Sequence, residues 1–231
     1  MSSFPVGFRA LVIGASGGIG AGFVRILQAE PDLGSVIAIH RQSRPAIDFD
    51  HEASIAAAAA ELSTQAPFHL IVNAAGMLHA GALMPEKKLA DLHYAQMTQT
   101  FRVNAFGPAL VLRHFTKLLD RERGVLAVLS AKVGSIGDNR LGGWYSLRAS
   151  KAALNRLVKT AAIECQRSRP RAVLVALHPG TVASRLSQPF RGDQIGRPAD
   201  LAAAEMLAVI DGLTPTDTGQ FITYDGQRLP W

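Results

Sequence analysis

Short apolar runs alternate with longer amphipathic stretches along the chain. The runs are rich in branched residues and cover residues 10–13, 36–39, 70–72, 125–129, 173–177 and 220–223. Runs that stay apolar, without a polar residue at every second position, are typical of strands covered on both faces of a sheet. The pattern therefore predicts six buried strands.

Stretches with helical spacing of apolar residues lie between these runs. They cover residues 19–28, 54–65, 97–119, 146–167 and 198–210. Strands that alternate with helices are typical of repeated βαβ units on a parallel sheet. We therefore expect an α/β fold, a Rossmann-type doubly wound parallel sheet in a single domain over residues 1–231, because no linker or internal repeat divides the chain.

A glycine-rich loop, GASGGIG, follows the first predicted strand and precedes the first predicted helix. In a dinucleotide-binding fold, Gly14 would allow a tight turn, Gly18 a close approach to a pyrophosphate, and Gly20 close packing of helix on sheet. A purely structural turn is the alternative. The position between strand and helix favours dinucleotide binding.

Charge and composition limit the other classes of partner. The formal net charge is +6, which permits nucleic acid or an anionic ligand. The densest basic group, Arg167, Arg169 and Arg171, has no interleaved aromatic residues, so it favours a solvated helix end, and we expect no nucleic-acid partner. No apolar stretch reaches the roughly 18 residues of a spanning helix, and we expect no membrane partner.

Cysteine and histidine give no metal-binding pattern. Cys165 is the single cysteine, which excludes an intramolecular disulfide and favours the reducing cytoplasm. The seven histidines are dispersed, so we expect no metal centre. His178 either lines a pocket or is a structural histidine with its hydrogen bonds satisfied.

Several segments in the same order resemble the short-chain dehydrogenase/reductase family. They are the GxxxGxG spacing at residues 14–20, NAAG at 73–76, Asn104 in VNAFGP, Lys151 in RASKAALN, and HPGTV at 178–182. The run GGWYSLRASKAALN is most similar to the branch of C-factor-like proteins and small carbonyl reductases. The NAAG segment departs from the family's NNAG at Ala74.

The resemblance implies a bound dinucleotide and a set of residues that contact it. These are Gly14, Ser16, Gly17, Gly18, Ile19, Gly20, His40, Arg41, Asp48, Phe49, Asn73, Ala74, Ala75, Gly76, Lys151, Pro179, Gly180 and Val182. At the end of the second predicted strand, His40 stands where NAD-binding proteins place an acid, and Arg41 and Arg44 follow. We therefore predict NADP(H), with Arg41 at the 2′-phosphate. A solvent-facing Arg41 is the alternative.

The resemblance also implies hydride transfer, with a tyrosine four residues before the lysine as proton donor and a serine that polarises the substrate oxygen. Lys151 and Asn104 match two catalytic positions of the family. Leu147 stands at the tyrosine position and Ala131 at the serine position. Lys151 can also hold a ribose without proton transfer, and Asn104 can stabilise a helix bend.

Three polar residues are candidate substitutes for the missing groups. Tyr145 lies six residues before Lys151 and fits only if the helix begins after it; a packing or interface role is the alternative. Ser130 needs a local bend to face the site, because neighbouring strand residues point to opposite faces. Ser135 is the third candidate.

Two functions remain open. The first is an NADP(H)-dependent oxidoreductase that acts on a small carbonyl or alcohol with an altered proton-donor site. The second is a catalytically impaired NADP(H)-binding protein with a regulatory or partner-binding role. By resemblance, we expect the loop 184–195 to cover the pocket, and a homodimer or homotetramer formed through the helices 97–119 and 146–167.

Overall fold

A computed structural model of the chain describes residues 1–81 and 83–231. Six strands form one parallel sheet in the order β2-β1-β3-β4-β5-β6. The strands are β1 (Phe8–Ile13), β2 (Leu33–Ile39), β3 (Leu70–Asn73), β4 (Val125–Leu129), β5 (Val173–His178) and β6 (Phe221–Thr223). The predicted α/β fold with a parallel sheet is confirmed.

Helices cover both faces of the sheet. They are α1 (Gly18–Gln28), α2 (Glu52–Leu62), α3 (Tyr94–Phe101), α4 (Gly107–Phe115), α5 (Tyr145–Ser168), α6 (Gly192–Ile195) and α7 (Ala199–Gly212). Short 3₁₀ turns lie at Ser63–Gln65, Leu89–Asp91, Thr116–Leu118, Lys132–Gly134, Gln188–Phe190 and Pro215–Asp217. No helix in residues 1–81 and 83–231 is long and apolar enough to cross a membrane.

Each face of the sheet has its own apolar core because the side chains of a strand alternate between the faces. One core packs α2, α4 and α5 on the sheet and includes Phe115 and Leu154. The other packs α1 and α7 on the opposite face and includes Phe23 and Met206. The two cores hold the sheet between two helical layers, as in a doubly wound fold.

The predicted helix 97–119 is not one continuous helix. A π-helical segment, Arg102–Phe106, separates α3 from α4, and the N–H of Gly107 donates to the carbonyl of Arg102. Pro108 has no N–H for the carbonyl four residues before it, that of Asn104, so the regular α-helical ladder is already interrupted there. The π segment places Asn104, which is fully buried, at the site.

The strand order reverses direction between β1 and β3, because β2 lies on one side of β1 and all later strands lie on the other. In open parallel sheets, ligands bind in the crevice beyond the carboxyl ends of the strands at this kind of reversal. The glycine-rich loop after β1 and the NAAG segment after β3 meet there.

Candidate active site at the carboxyl edge of the sheet

Two adjoining cavities open at the carboxyl edge of the sheet. The β1–β2 cavity, about 350 Å³, is lined by residues that follow β1 and β2, including Gly14 and Arg41. The β4–β5 cavity, about 340 Å³, is lined by residues that follow β4 and β5 and by Lys151 of α5. Residues 74–77 and Leu186 line both. Together the two cavities provide an elongated site.

The glycine-rich loop is shaped by close backbone contacts. Gly14 has a φ of +83°, and a Cβ on it would lie 2.7 Å from the nitrogen of Ala75. A Cβ on Gly20 would overlap the carbonyl oxygen of Gly14. Both positions therefore require glycine. No acidic side chain stands in the first turn of α1, which leaves the positive end of the helix dipole available to an anion.

The predicted nucleotide contacts gather in the β1–β2 cavity. Its lining includes Gly14, Gly17, His40, Arg41, Asp48, Phe49, Ala74, Ala75 and Gly76. Arg41 is exposed and lines this cavity. Phe49 is buried against Gly107.

The remaining predicted contacts divide between the second cavity and the loops behind it. Ile19, Lys151, Pro179, Gly180 and Val182 line the β4–β5 cavity. Ser16, Gly18, Gly20 and Asn73 are outside the described lining of both cavities. Asn73 acts on the loop instead, since its Oδ1 accepts the N–H of Ala75 at 3.1 Å.

Asn104 and Lys151 meet beside Gly76. The side chain of Asn104 pairs with the backbone of Met77: Oδ1 accepts its N–H and Nδ2 donates to its carbonyl, each at 2.8 Å. The Nζ of Lys151 donates to the carbonyl of Leu129 at 2.9 Å. A Cβ on Gly76 would lie 3.6 Å from Asn104 Oδ1 and 3.7 Å from Lys151 Nζ. The structure therefore brings both residues to Gly76: Lys151 lines the β4–β5 cavity, whereas Asn104 is fully buried and lies outside the described lining of both cavities.

The ammonium of Lys151 lies deep in the protein. Burial lowers the pKa of Lys151 to about 8 because the charged form loses its hydration. An ammonium has three N–H donors, and the carbonyl of Leu129 takes one. The others can serve polar groups of a ligand in the β4–β5 cavity.

Leu147 and Ala131 line the same cavity as Lys151. Leu147 lies one turn before Lys151 on α5, so the two side chains share a helix face. The Leu147 side chain is buried. An isobutyl and a methyl group cannot exchange a proton or donate a hydrogen bond, so neither residue supplies the chemistry of a tyrosine or a serine.

The three candidate substitutes have different positions. Tyr145 is the first residue of α5, and the described lining of the cavity does not include it. Ser130 lines the cavity, but its hydroxyl donates to Asn155 Oδ1 at 2.6 Å. Ser135 is buried and lies outside the described lining. The structure therefore brings only Ser130 of the three to the cavity, with its proton already engaged.

His178 is a site residue whose role the sequence left open. It lines the β4–β5 cavity, and its buried Nδ1 has no hydrogen-bond partner among the described residues. Burial, and then the positive charges of Lys132 and Arg197, lower the pKa of His178 to about 4. The imidazole is therefore neutral at pH 7.

Two aromatic residues, Trp144 and Phe190, line the β4–β5 cavity and contact each other. Phe190, in the loop 184–195, lies edge-on to Trp144 with ring centroids 5.1 Å apart, and its ring is 6.1 Å from that of His79. Trp144 has a φ of +51°, and its N–H donates to the carbonyl of Glu86 at 2.6 Å. Sequence reasoning placed the loop over the pocket but identified neither ring, because the contact joins segments far apart in the chain.

The family follows from the match between this site, the fold and known proteins. A family model described as enoyl-(acyl carrier protein) reductase matches residues 18–224, which include the last three residues of the glycine-rich loop, Asn104, Lys151 and the segment 178–182. The chain belongs to the short-chain dehydrogenase/reductase family.

The similar proteins include a dehydrogenase and a protein named C-signal. The chain is 32% identical over 187 residues to 1-hydroxy-2-glutathionyl-2-methyl-3-butene dehydrogenase of Rhodococcus sp., covering 81% of this chain and 79% of that protein. It is 38% identical over 147 residues to the C-signal of Myxococcus xanthus, covering 62% and 83%. The NADPH-bound carbonyl reductase from chicken fatty liver has the same fold, with a TM-score of 0.84, 24% identity, and 99% and 96% of the chains covered.

Proposed function

We propose that the protein is an NADP(H)-dependent oxidoreductase that acts on a small carbonyl or alcohol and lacks the family's positioned proton donor. The observation that carries this proposal is the wall of the β4–β5 cavity. Lys151 and Asn104 meet beside Gly76, while Leu147 and Ala131 line the same space. The family membership and the dehydrogenase among the relatives support the reaction class.

The cavities fit the proposed cofactor. The open N-terminus of α1 and Arg41 supply positive charge along the β1–β2 cavity, as a pyrophosphate and a 2′-phosphate require. Gly76 leaves space beside Lys151 that a side chain would fill, and the free N–H groups of Lys151 suit ribose hydroxyls. When bound, NADPH supplies a hydride. The NADPH-bound carbonyl reductase of the same fold supports this assignment.

The side chains of the site would bind the cofactor and the substrate. Lys151 would hold a ribose of the cofactor through its remaining N–H groups, and Asn104 fixes the backbone of Met77, which lines both cavities. Leu147, Trp144 and Phe190 give the β4–β5 cavity an apolar surface that would exclude water beside a bound substrate. The proton would come from solvent, because Leu147 carries a hydrocarbon and the ammonium of Lys151 is assigned to the ribose of the cofactor. Loss of a positioned general acid costs on the order of 10²–10⁴ in rate, so we expect slow turnover.

Restoring the missing hydroxyl tests this proposal. Leu147→Tyr returns an acid one turn from Lys151, and Leu147→Phe adds a ring of similar size without the hydroxyl. NADPH oxidation would be measured against a panel of aldehydes and ketones. We expect Leu147→Tyr to raise kcat on the order of 100-fold and Leu147→Phe to leave it unchanged or lower. Equal rates for the two variants would contradict the proposal.

A second function is favoured by the presence of Leu147 and Ala131 in one cavity, at the positions where the family places its tyrosine and serine. In this alternative, NADP(H) stabilises a fold used for regulation or for binding a partner, and turnover is absent. The native chain distinguishes the two. Tight NADPH binding without oxidation of the panel favours the alternative, whereas measurable oxidation by the native chain contradicts it.

We propose that the chain assembles as a homodimer or homotetramer through α4 and α5. A groove of about 440 Å³ runs between these helices and includes Leu112, Leu157 and Ala161. Leu157 is 37% exposed, an apolar side chain that a second copy would cover. Light scattering of Leu157→Arg beside the native chain tests it: we expect a smaller assembly for the variant, and an unchanged mass contradicts this surface.

A further inference from the structure

We infer that Arg197 is a positioning residue for the nicotinamide end of the cofactor, because its guanidinium fixes the loop at Pro179 and Gly180. This inference rests on the proposed binding of NADP(H). Arg197 lies outside the described cavity linings and precedes α7. Its effect on the site therefore passes through the loop that it holds.

The guanidinium of Arg197 makes three contacts, two through its N–H groups and one with an aromatic ring. Nη2 donates to the carbonyl of Pro179 at 2.9 Å, and Nη1 pairs with the carboxylate of Glu205 on α7. Its central carbon lies 3.6 Å from the ring centroid of Tyr224, just after β6. A planar, multiply bonded guanidinium can satisfy all three, whereas a lysine ammonium is a point charge. Arg197 thereby ties α7 and the β6 end to the loop after β5.

Gly180 packs directly against this arrangement. It has a φ of +73°, and a Cβ on it would lie 2.9 Å from Cε1 of Tyr224 and 3.5 Å from Nη2 of Arg197. The left-handed backbone and the close packing restrict the conformation of Gly180 as long as Tyr224 is held in place. Arg197 covers the Tyr224 ring and so keeps that packing surface fixed.

The backbone of Arg197 holds the far end of the same loop. Its N–H donates to the carbonyl of Thr181 at 2.9 Å, and its carbonyl accepts the N–H of Ala183 at 2.9 Å. These bonds survive a change of side chain, so a substitution is expected to loosen Pro179 and Gly180 without unfolding the loop. Both residues line the β4–β5 cavity with Lys151, whereas Arg41 lines the β1–β2 cavity. Since the proposed function places the 2′-phosphate of the adenosine ribose at Arg41, the nicotinamide end would lie in the cavity that Pro179 and Gly180 line.

Two ligands separate an effect on the nicotinamide end from an effect on the whole site. NADPH occupies both cavities in the proposed function, whereas 2′-phospho-ADP-ribose lacks the nicotinamide. Dissociation constants for both would be measured by calorimetry on Arg197→Met and on the native chain. We expect Arg197→Met to weaken NADPH binding about tenfold, as for a lost charge-assisted hydrogen bond, and to change 2′-phospho-ADP-ribose binding less than twofold.

Two further variants provide the test if Arg197→Met folds poorly. Arg197→Lys retains a charge for Glu205 and should weaken NADPH selectively by a smaller factor. Arg25→Met is the control. It removes an exposed ion pair between Arg25 of α1 and Asp200 of α7, the helix that also carries Glu205, and it should change neither affinity. Equal changes for both ligands, or none, in the Arg197 variants would overturn the inference. A native chain that binds neither ligand would instead overturn the proposed function, and the inference with it.

Discussion

Lys151→Met removes a buried positive charge while keeping a side chain of similar length. The pKa of Lys151 falls from 10.5 to about 8 through burial. At about 1.4 kcal/mol per pKa unit, this difference corresponds to about 3 kcal/mol that the charged form costs the folded protein at pH 7. Methionine also leaves the carbonyl of Leu129 without its donor, which costs about 1–2 kcal/mol. The cofactor-free variant should therefore be more stable than the native protein at pH 7, by about 1 kcal/mol.

The sign of the pH dependence follows from the two proton affinities. Between pH 8 and pH 10.5, the unfolded chain keeps the Lys151 proton that the folded protein releases, so native stability rises with pH in this window. Below pH 8 the cost is fully present. The advantage of Lys151→Met at pH 7 should therefore disappear and reverse by pH 10.5, a change of about 3 kcal/mol.

Urea unfolding of cofactor-free protein at pH 7 and pH 10 measures this difference. Lys87→Met, at an exposed lysine, is the control and should show no pH-dependent difference from the native chain. A stability difference for Lys151→Met that is the same at both pH values would refute the reasoning. The same variant should bind NADPH more weakly, which would show that the buried charge is retained for the cofactor at a cost in stability.

The glycines of the site give two further predictions. Gly14→Ala should lower the free energy of unfolding by more than about 2 kcal/mol, because φ is +83° and the new Cβ would lie 2.7 Å from the nitrogen of Ala75. Chemical denaturation measures this loss. Gly17→Ala, whose new Cβ would have its nearest contact at 3.4 Å, is the control and should lose much less stability. Gly76→Ala should leave stability unchanged, since the new Cβ would lie 3.7 Å from Lys151 Nζ, but should weaken NADPH binding by filling the cavity wall; tight binding by this variant would argue against a cofactor at that point.

Local pattern predicted the central strands well because buried parallel strands are short apolar runs. The prediction of a buried strand was wrong for β2, in which only Ile39 is buried, because β2 lies at the edge of the sheet. The run predicted at residues 70–72 became Leu70–Asn73, and 125–129 matched Val125–Leu129. The long helix 97–119 was predicted less well. Its apolar spacing continues through Asn104. The pattern alone does not show that the N–H of Gly107 donates to the carbonyl five residues before it, that of Arg102, instead of the carbonyl four residues before it.

The parts of the site that the sequence did not reveal depend on contacts between distant segments. Glu86 is buried, and its carboxylate accepts the backbone N–H of Ser146, 60 residues later. Arg197 meets Pro179 only after β5 and α7 pack together. An isolated glutamate or arginine has no local spacing that marks such a role. Motif residues such as Lys151 were found because their chemistry needs fixed neighbours in the sequence.

Discrimination between NADPH and NADH tests the central claim most directly. Arg41 lies in the β1–β2 cavity, and the first turn of α1 carries no acid, so a 2′-phosphate meets positive charge. A charge-assisted hydrogen bond of about 1.5–3 kcal/mol corresponds to roughly 10- to 100-fold. The dissociation constant of the native chain should therefore be at least about tenfold lower for NADPH than for NADH, and Arg41→Ala should narrow the ratio. Equal or tighter binding of NADH by the native chain would contradict the account.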